Sequence, residues 1–410
     1  MTTARKPSGD AKIYAYIAAF SAVLYSVLLV APIVTSQLTT QFNLEASTAG
    51  LISSVELGCF SLATIPAFLW LRKANIRWVT LACISLVVVG NVVSAMMTTF
   101  SGLLLVRGLT ALAAGSITVI ILSLSAKASN PSRAYGVFIV CQLGMGAVIL
   151  FLFPVIYAGR PVAAVYLTLS ILAVCCIPFS WCVKGDELRA NPAAAAVGRV
   201  TRKVFPFVCA LVAVFGFYVA LGGVWTFMGQ IAVSGGTELS TAATTIGIAT
   251  LAGVATSLVG MLVGENRWAR VFVLAGYAGM AASMFLLFGA PGLARFALAA
   301  ILFKVAWSWL LPFLLSAVSR VGGPQVMNST NLMIGSGLAA GPLLAGALID
   351  ATGGFGTMLT VSLAVLALAV ACSLVVMRAS SVVPDAGSAI LPDGAADAGL
   401  GDAAAEPVSV

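Results

Sequence analysis

The sequence predicts an all-α membrane protein in which twelve transmembrane helices form two pseudo-symmetric six-helix halves. Three observations carry that expectation. Hydrophobic residues make up 61% of the 410 and charged residues 8%, with a mean hydropathy of +1.09, whereas soluble domains carry roughly 25% charge. The apolar residues gather into runs close to the ~20 that a bilayer-spanning helix needs. These runs do not alternate polar and apolar as barrel strands do, so helices satisfy the backbone in lipid.

Taken in order, the expected spans of the first half are 14–36, 48–71, 78–98, 102–126, 136–157 and 163–183. Those of the second half are 204–230, 241–263, 271–290, 296–318, 327–349 and 357–377. The first follows Arg5, Lys6 and Lys12, but its apolar run exceeds a signal-peptide core and more spans follow, so an uncleaved helix is expected. Residues 1–13 are then an N-terminal segment, 14–183 one half, 184–203 a linker and 204–377 the other half. The linker is the longest internal polar stretch; it holds Asn191-Pro192 and several bases, and divides the spans six and six. The last segment, 378–410, carries five acids and no base after residue 380, and its Ala, Gly, Asp and Pro composition predicts a disordered acidic tail. Prolines 32, 66, 154, 178, 312 and 342 fall where they kink or end spans, or sit passively in them.

Charge then sets orientation and excludes functions. The net charge is +8, yet the bases sit between spans rather than on a soluble module, so no nucleic-acid partner is expected. With the N-terminus inside, Arg160 and Arg295 stand on the outer side while nearly all other bases lie inside, the positive-inside pattern. Both termini are expected in the cytoplasm, with the chain a monomer in a bacterial inner membrane. The eight cysteines lie in or at the edges of spans, which favours free thiols. The chain has no histidine, which removes His-based triads, common zinc sites and histidine proton relays. Neither paired carboxylates nor a phosphate-binding loop is present, so no enzyme, no catalytic residue, no cofactor and no metal are expected.

Several motifs bear on the family. Phe42-Asn43-Leu44-Glu45-Ala46-Ser47-Thr48-Ala49-Gly50-Leu51-Ile52 leads into the second span. The fourth carries Arg107-Gly108-Leu109-Thr110-Ala111-Leu112-Ala113-Ala114-Gly115, and the eleventh Gly337, Gly341-Pro342, Gly346 and Asp350. With the six-plus-six layout, these resemble the major facilitator superfamily of secondary transporters over roughly residues 14–377. The resemblance implies alternating access, in which two halves rock about a midplane site. Between spans two and three the chain has Ala67, Leu71-Arg72, Ala74 and Arg77 in place of the family's glycines and Asp-Arg. The fifth span has Gly144-Met145-Gly146 without the Gly-Pro of drug/proton antiporters. No subfamily is assigned.

Three charges lie inside spans: Glu56, Arg107 and Lys304. Helical rise places Glu56 and Lys304 about 12 Å deep and Arg107 about 8 Å deep in one outer-to-middle layer. Such charges face a cavity or a partner. Glu56 and Arg107 are expected to pair, either as helix glue or as a proton-coupling couple in which Glu56 takes a proton when Arg107 is drawn away. Lys304 snorkels, stays neutral, reaches Glu56, or awaits an anion; the surplus positive charge favours an anionic small-molecule substrate. Candidate substrate-binding residues are Lys304, Arg107, Gln142, Tyr25, Tyr218, Trp225, Trp307 and Asn331. The expected function is proton-coupled transport of a small organic anion. Proton-driven efflux of drugs or metabolites, and a non-transporting receptor or scaffold on the same fold, are the alternatives.

Overall fold

A computed structural model describes residues 7–71, 73–128, 131–188, 204–263 and 268–380, with side chains 7–10, 68, 126, 131–132, 261, 319–328, 331 and 380 outside the description. The first six residues, Arg72, residues 129–130, the linker beyond residue 188, residues 264–267 and the tail beyond residue 380 lie outside the described residues. Every long element described is helical, and no strand occurs among the described residues. Twelve stretches are long and apolar enough to cross a bilayer.

The first span, Ala11–Phe42, is longer than its apolar run and consists of two helices, α1 (Pro7–Leu24) and α2 (Ser26–Phe42). Ser26 Oγ donates to the Ala22 carbonyl at 2.7 Å, the local back-bonding that bends helices, and the interruption falls at Tyr25. α2 continues past Gln37 to Phe42, with the Thr39 and Thr40 hydroxyls donating to carbonyls one turn back, and Asn43 ends it at φ 48°. The second span holds α3 (Ala46–Leu62) and the start of α4 (Thr64–Trp70). α5 (Ile76–Met96) begins at Asn75, whose Oδ1 accepts from the Arg77 and Trp78 amides. α6 (Phe100–Lys127) is the fourth span; α7 (Pro131–Leu152) runs into a π-helical turn at Phe153–Tyr157, and α8 (Ala163–Cys176) into a 3-10 turn at Ile177–Cys182. The second half comprises α9 (Val204–Ser234), α10 (Leu239–Val263), α11 (Ala269–Leu286), α12 (Leu293–Thr352) and α13 (Phe355–Ser380).

α12 contains two spans, Leu293–Val318 and Leu332–Thr352. Its 60 residues would reach about 90 Å if straight, yet Trp225 of α9 contacts Phe303 and Trp307 while nearby Gly223 abuts Gly341. The two limbs therefore both lie against α9, and the chain reverses direction between the spans.

Loop contacts define two ends. The 1–2 and 5–6 connections meet where the Gln41 side chain accepts from the Val162 amide, and the 11–12 connection joins them through Asp350; we call this the far end. At the other end, where α1 begins and α13 ends, the Ile76 amide bonds to the Gly185 carbonyl and Lys127 to the Glu187 carbonyl. The halves meet along α2–α9, α3–α12 and α7–α10. One continuous apolar core joins the far-end part of the first half to the second half, whereas the near-end part of the first half has a separate core built on α1, α5, α6 and α7. From Gly216 to Ala232, α9 is buried on every side except at Gln230. The molecule is thus sealed at the far end.

Candidate functional site

Lys304 lies on the first limb of α12, one turn from Trp307 and Ser308. Its side chain is 0% exposed, and Nζ has no hydrogen-bond partner among the described residues. The ammonium sits 3.7 Å from the Trp225 ring centroid and 4.1 Å from that of Trp307. The electron-rich faces of two indoles attract a cation, yet they leave its three N–H donors unused. Room for the lysine stem comes from Gly253 on α10, where a Cβ would lie 3.0 Å from Ser308 Oγ and 3.6 Å from Lys304 Cβ. Trp225 is fully buried, stacks on Phe303 with an interplanar angle of 10°, and donates from Nε1 to the Leu28 carbonyl of α2 at 2.9 Å.

The other two charges form a separate group inside the first half. Arg107 Nε pairs with Glu56 Oε1, joining α6 to α3. Its Nη1 donates to Asn91 Oδ1 of α5 at 2.7 Å, and its guanidinium lies 4.7 Å over the Tyr166 ring of α8. Four helices thus share one guanidinium, 1% exposed, while the Glu56 side chain keeps 12% exposure. Lys304 does not reach Glu56: the acid is matched by Arg107, and the lysine faces only rings. Arg107 is accordingly set among its own half's helices rather than beside Lys304.

Three of the remaining candidates gather where α1, α2, α7 and α9 meet. Tyr25 packs edge-on against Phe60 and Phe138, with ring centroids 5.0 and 5.1 Å away, and Tyr218 of α9 lies beside it. Gln142 follows Phe138 by one turn and precedes Gly146, which abuts Leu29, so it shares the α7 face turned toward the first span. Its Oε1 is buried without a partner among the described residues. The Asn331 side chain lies outside the described residues. Asn91 and Tyr166 were not among the sequence candidates; Asn91 is nevertheless a lone amide in the apolar run of the third span, a signal of the same kind that singled out Glu56.

No family model and no curated relative matches the chain. Solved structures do. A variant of the nucleoside transporter NupG is similar over 90% of this chain and 99% of its own, with a TM-score of 0.69 at 14% identity. The human organic anion transporter MFSD10 matches over 90% of this chain and 100% of its own, with a TM-score of 0.68 at 14% identity. A bacterial homologue of the human lysosomal transporter Spinster, captured inward-facing and occupied, covers 92% and 96% with a TM-score of 0.65, again at 14% identity. The fold is that of the major facilitator transporters. The α2–α9, α3–α12 and α7–α10 seams divide the two halves of this chain, and Trp225 and Lys304 stand beside the first of them. At this level of identity the likeness fixes architecture, and the chemistry of the site rests on this chain's own residues.

Proposed function

We propose that the chain is a secondary transporter that moves a small organic anion across a bilayer by alternating access, coupled to protons. The observation that carries the reading is the buried Lys304 ammonium, held between two indoles with no hydrogen-bond partner among the described residues. A charge kept at that depth is costly unless something matches it, and a carboxylate on a passing solute supplies the match. The half-buried Trp307 and Ser308 on the same face offer an apolar wall and a hydroxyl for the solute's body. The structural neighbours, one named an organic anion transporter and another a nucleoside transporter, support a small-molecule cargo. Clustering of bases at the near end favours a cytoplasmic near end.

Glu56 is the proposed proton carrier. It is the acid within the span layer, it keeps some exposure, and among the described residues its ion-pair partner is Arg107. The test uses the full chain in proteoliposomes and a panel of monocarboxylates with their neutral amides. Carboxylates are expected to raise the melting temperature and the amides not, since a ligand stabilises the state that it binds. Lys304→Met should abolish that shift while remaining folded, because it exchanges a buried charge for an apolar chain of similar volume. Glu56→Gln should end uptake driven by a proton gradient and leave solute exchange measurable. Equal shifts by amides, or a shift that survives Lys304→Met, would remove the anion site; full gradient-driven uptake by Glu56→Gln would remove Glu56 from coupling.

A further inference from the structure

Pro32 lies inside α2. In a helix the carbonyl of residue 28 accepts from the amide of residue 32, and proline has no N–H to give. The Leu28 carbonyl is therefore left without its helical donor at a depth where water is scarce, and an unmet backbone acceptor in lipid is costly. Trp225 of the opposite half supplies the missing donor, Nε1 to Leu28 O at 2.9 Å. One turn further along α9, Gly229 lets the backbone close on the Pro32 carbonyl, where any Cβ would collide, and the Ser36 hydroxyl caps that same carbonyl at 2.9 Å. The far-end seam between α2 and α9 is thus built around the consequences of one proline.

The same indole also forms a wall of the Lys304 site. Its face lies 3.7 Å from the ammonium, its other neighbours are Phe303 in parallel stacking and Trp307 edge-on, and it is fully buried. A ring fixed by a hydrogen bond at one edge and by a cation on its face has little freedom to change one contact without the other. We propose that Trp225 is the positioning residue that joins the solute site to the far-end seam, acting through the carbonyl that Pro32 leaves without a donor. When an anion draws the ammonium away, the indole loses a contact on its face; when the seam parts, the Leu28 carbonyl loses its donor and must be met by water. Site and seam then change together. This inference rests on the transport reading for its purpose, but its physical content needs no solute.

The experiment is accordingly run without one. Amide hydrogen exchange of the full chain in lipid nanodiscs, read on far-end peptides of α9, reports how often the seam opens. Trp225→Phe keeps an aromatic face and removes the N–H, and is expected to raise far-end exchange about fivefold, the worth of one hydrogen bond. In a Pro32→Ala background, where residue 32 regains an N–H for Leu28, the same substitution should change exchange less than about twofold. Pro32→Leu serves as a second such background, so the comparison survives if one variant fails to fold. Lys304→Met should alter far-end exchange when Trp225 is present and leave it unaltered in Trp225→Phe. Both differences are required: an equal effect of Trp225→Phe in both backgrounds, no effect in either, or a Lys304→Met effect indifferent to Trp225 overturns the proposal. Failure of the carboxylate panel above, with these results intact, would instead remove the transport cargo and leave the link standing.

Discussion

Asp350, near the end of the second limb of α12, gives both carboxylate oxygens to a helix of the other half. Oδ1 accepts from the Ala46 amide at 2.9 Å and Oδ2 from the Ser47 amide at 2.7 Å. These are among the first amides of α3, which have no partner within their own helix, and the residue in the N-cap position, Glu45, makes no side-chain cap. The carboxylate also meets the positive end of the helix dipole. It therefore caps α3 only while the far end is closed. Asp350→Ala should weaken that closed state by about 1–2 kcal/mol, the usual worth of a cap, and Asp350→Asn by less, since one acceptor remains. Faster labelling of a cysteine placed at Ser47, in a background without native thiols, checks it; unchanged labelling in Asp350→Ala would make the contact incidental. In the sequence, Asp350 is legible only as an acid at a span end, because a cap supplied from 303 residues away leaves no local signature. The Glu56–Arg107 pair was legible, since two opposite charges at similar depth in one half have few other options. Of its partners, Asn91 carries a signal as a lone amide in an apolar run, whereas Tyr166 does not, because which face of α8 turns inward is set by packing.

At the scale of elements, the spans themselves were readable from hydropathy, and the departures have local causes. α2 runs past its apolar stretch to the left-handed stop at Asn43, and the two limbs of α12 share one helical element. What hydropathy leaves unread is how the helices meet. Two of the three seams, α2–α9 and α3–α12, use the same device in opposite directions. The Pro32 carbonyl of the first half abuts Gly229 of the second, and the Pro342 carbonyl of the second abuts Gly50 of the first. A proline, missing one helical hydrogen bond, and a glycine without a side chain together let two backbones approach where ordinary side chains would hold them apart. Gly50→Ala and Gly229→Ala each place a methyl against backbone that cannot yield, so each should lower the melting temperature and raise far-end hydrogen exchange. Gly144→Ala is the control: a Cβ there meets nothing within 4 Å, and removing a helical glycine is expected to be neutral or stabilising by up to about 1 kcal/mol. Equal behaviour of all three variants would mean that seam contact does not limit the closed state.

For the molecule as a whole, the decisive asymmetry is that the far end shares one apolar core across both halves while the near end of the first half keeps its own. Hydropathy and charge place each half in the bilayer, but which end is closed is a relation between surfaces far apart in the chain, and no segment encodes it alone. Alternating access requires that this relation reverse, so a bond across the far end should stop transport without stopping binding. Thr39 and Gln230 are suited to the purpose: they belong to opposite halves and already touch, Gln230 Nε2 donating to Thr39 Oγ1 at 2.8 Å. In a background without native thiols, Thr39→Cys with Gln230→Cys, joined by a short bifunctional thiol reagent, holds α2 against α9. The cross-linked protein should lose solute exchange in proteoliposomes and keep the carboxylate-induced rise in melting temperature, as solute is proposed to enter from the near end. A reagent with a cleavable bridge should return exchange once it is cut, and either single-cysteine variant should be indifferent to treatment. Exchange that continues across a sealed far end would mean that solute takes another route, and the rocking of two halves about Lys304 would have to be abandoned. Loss of binding together with exchange would point instead to entry from the far end, with the near end as the exit.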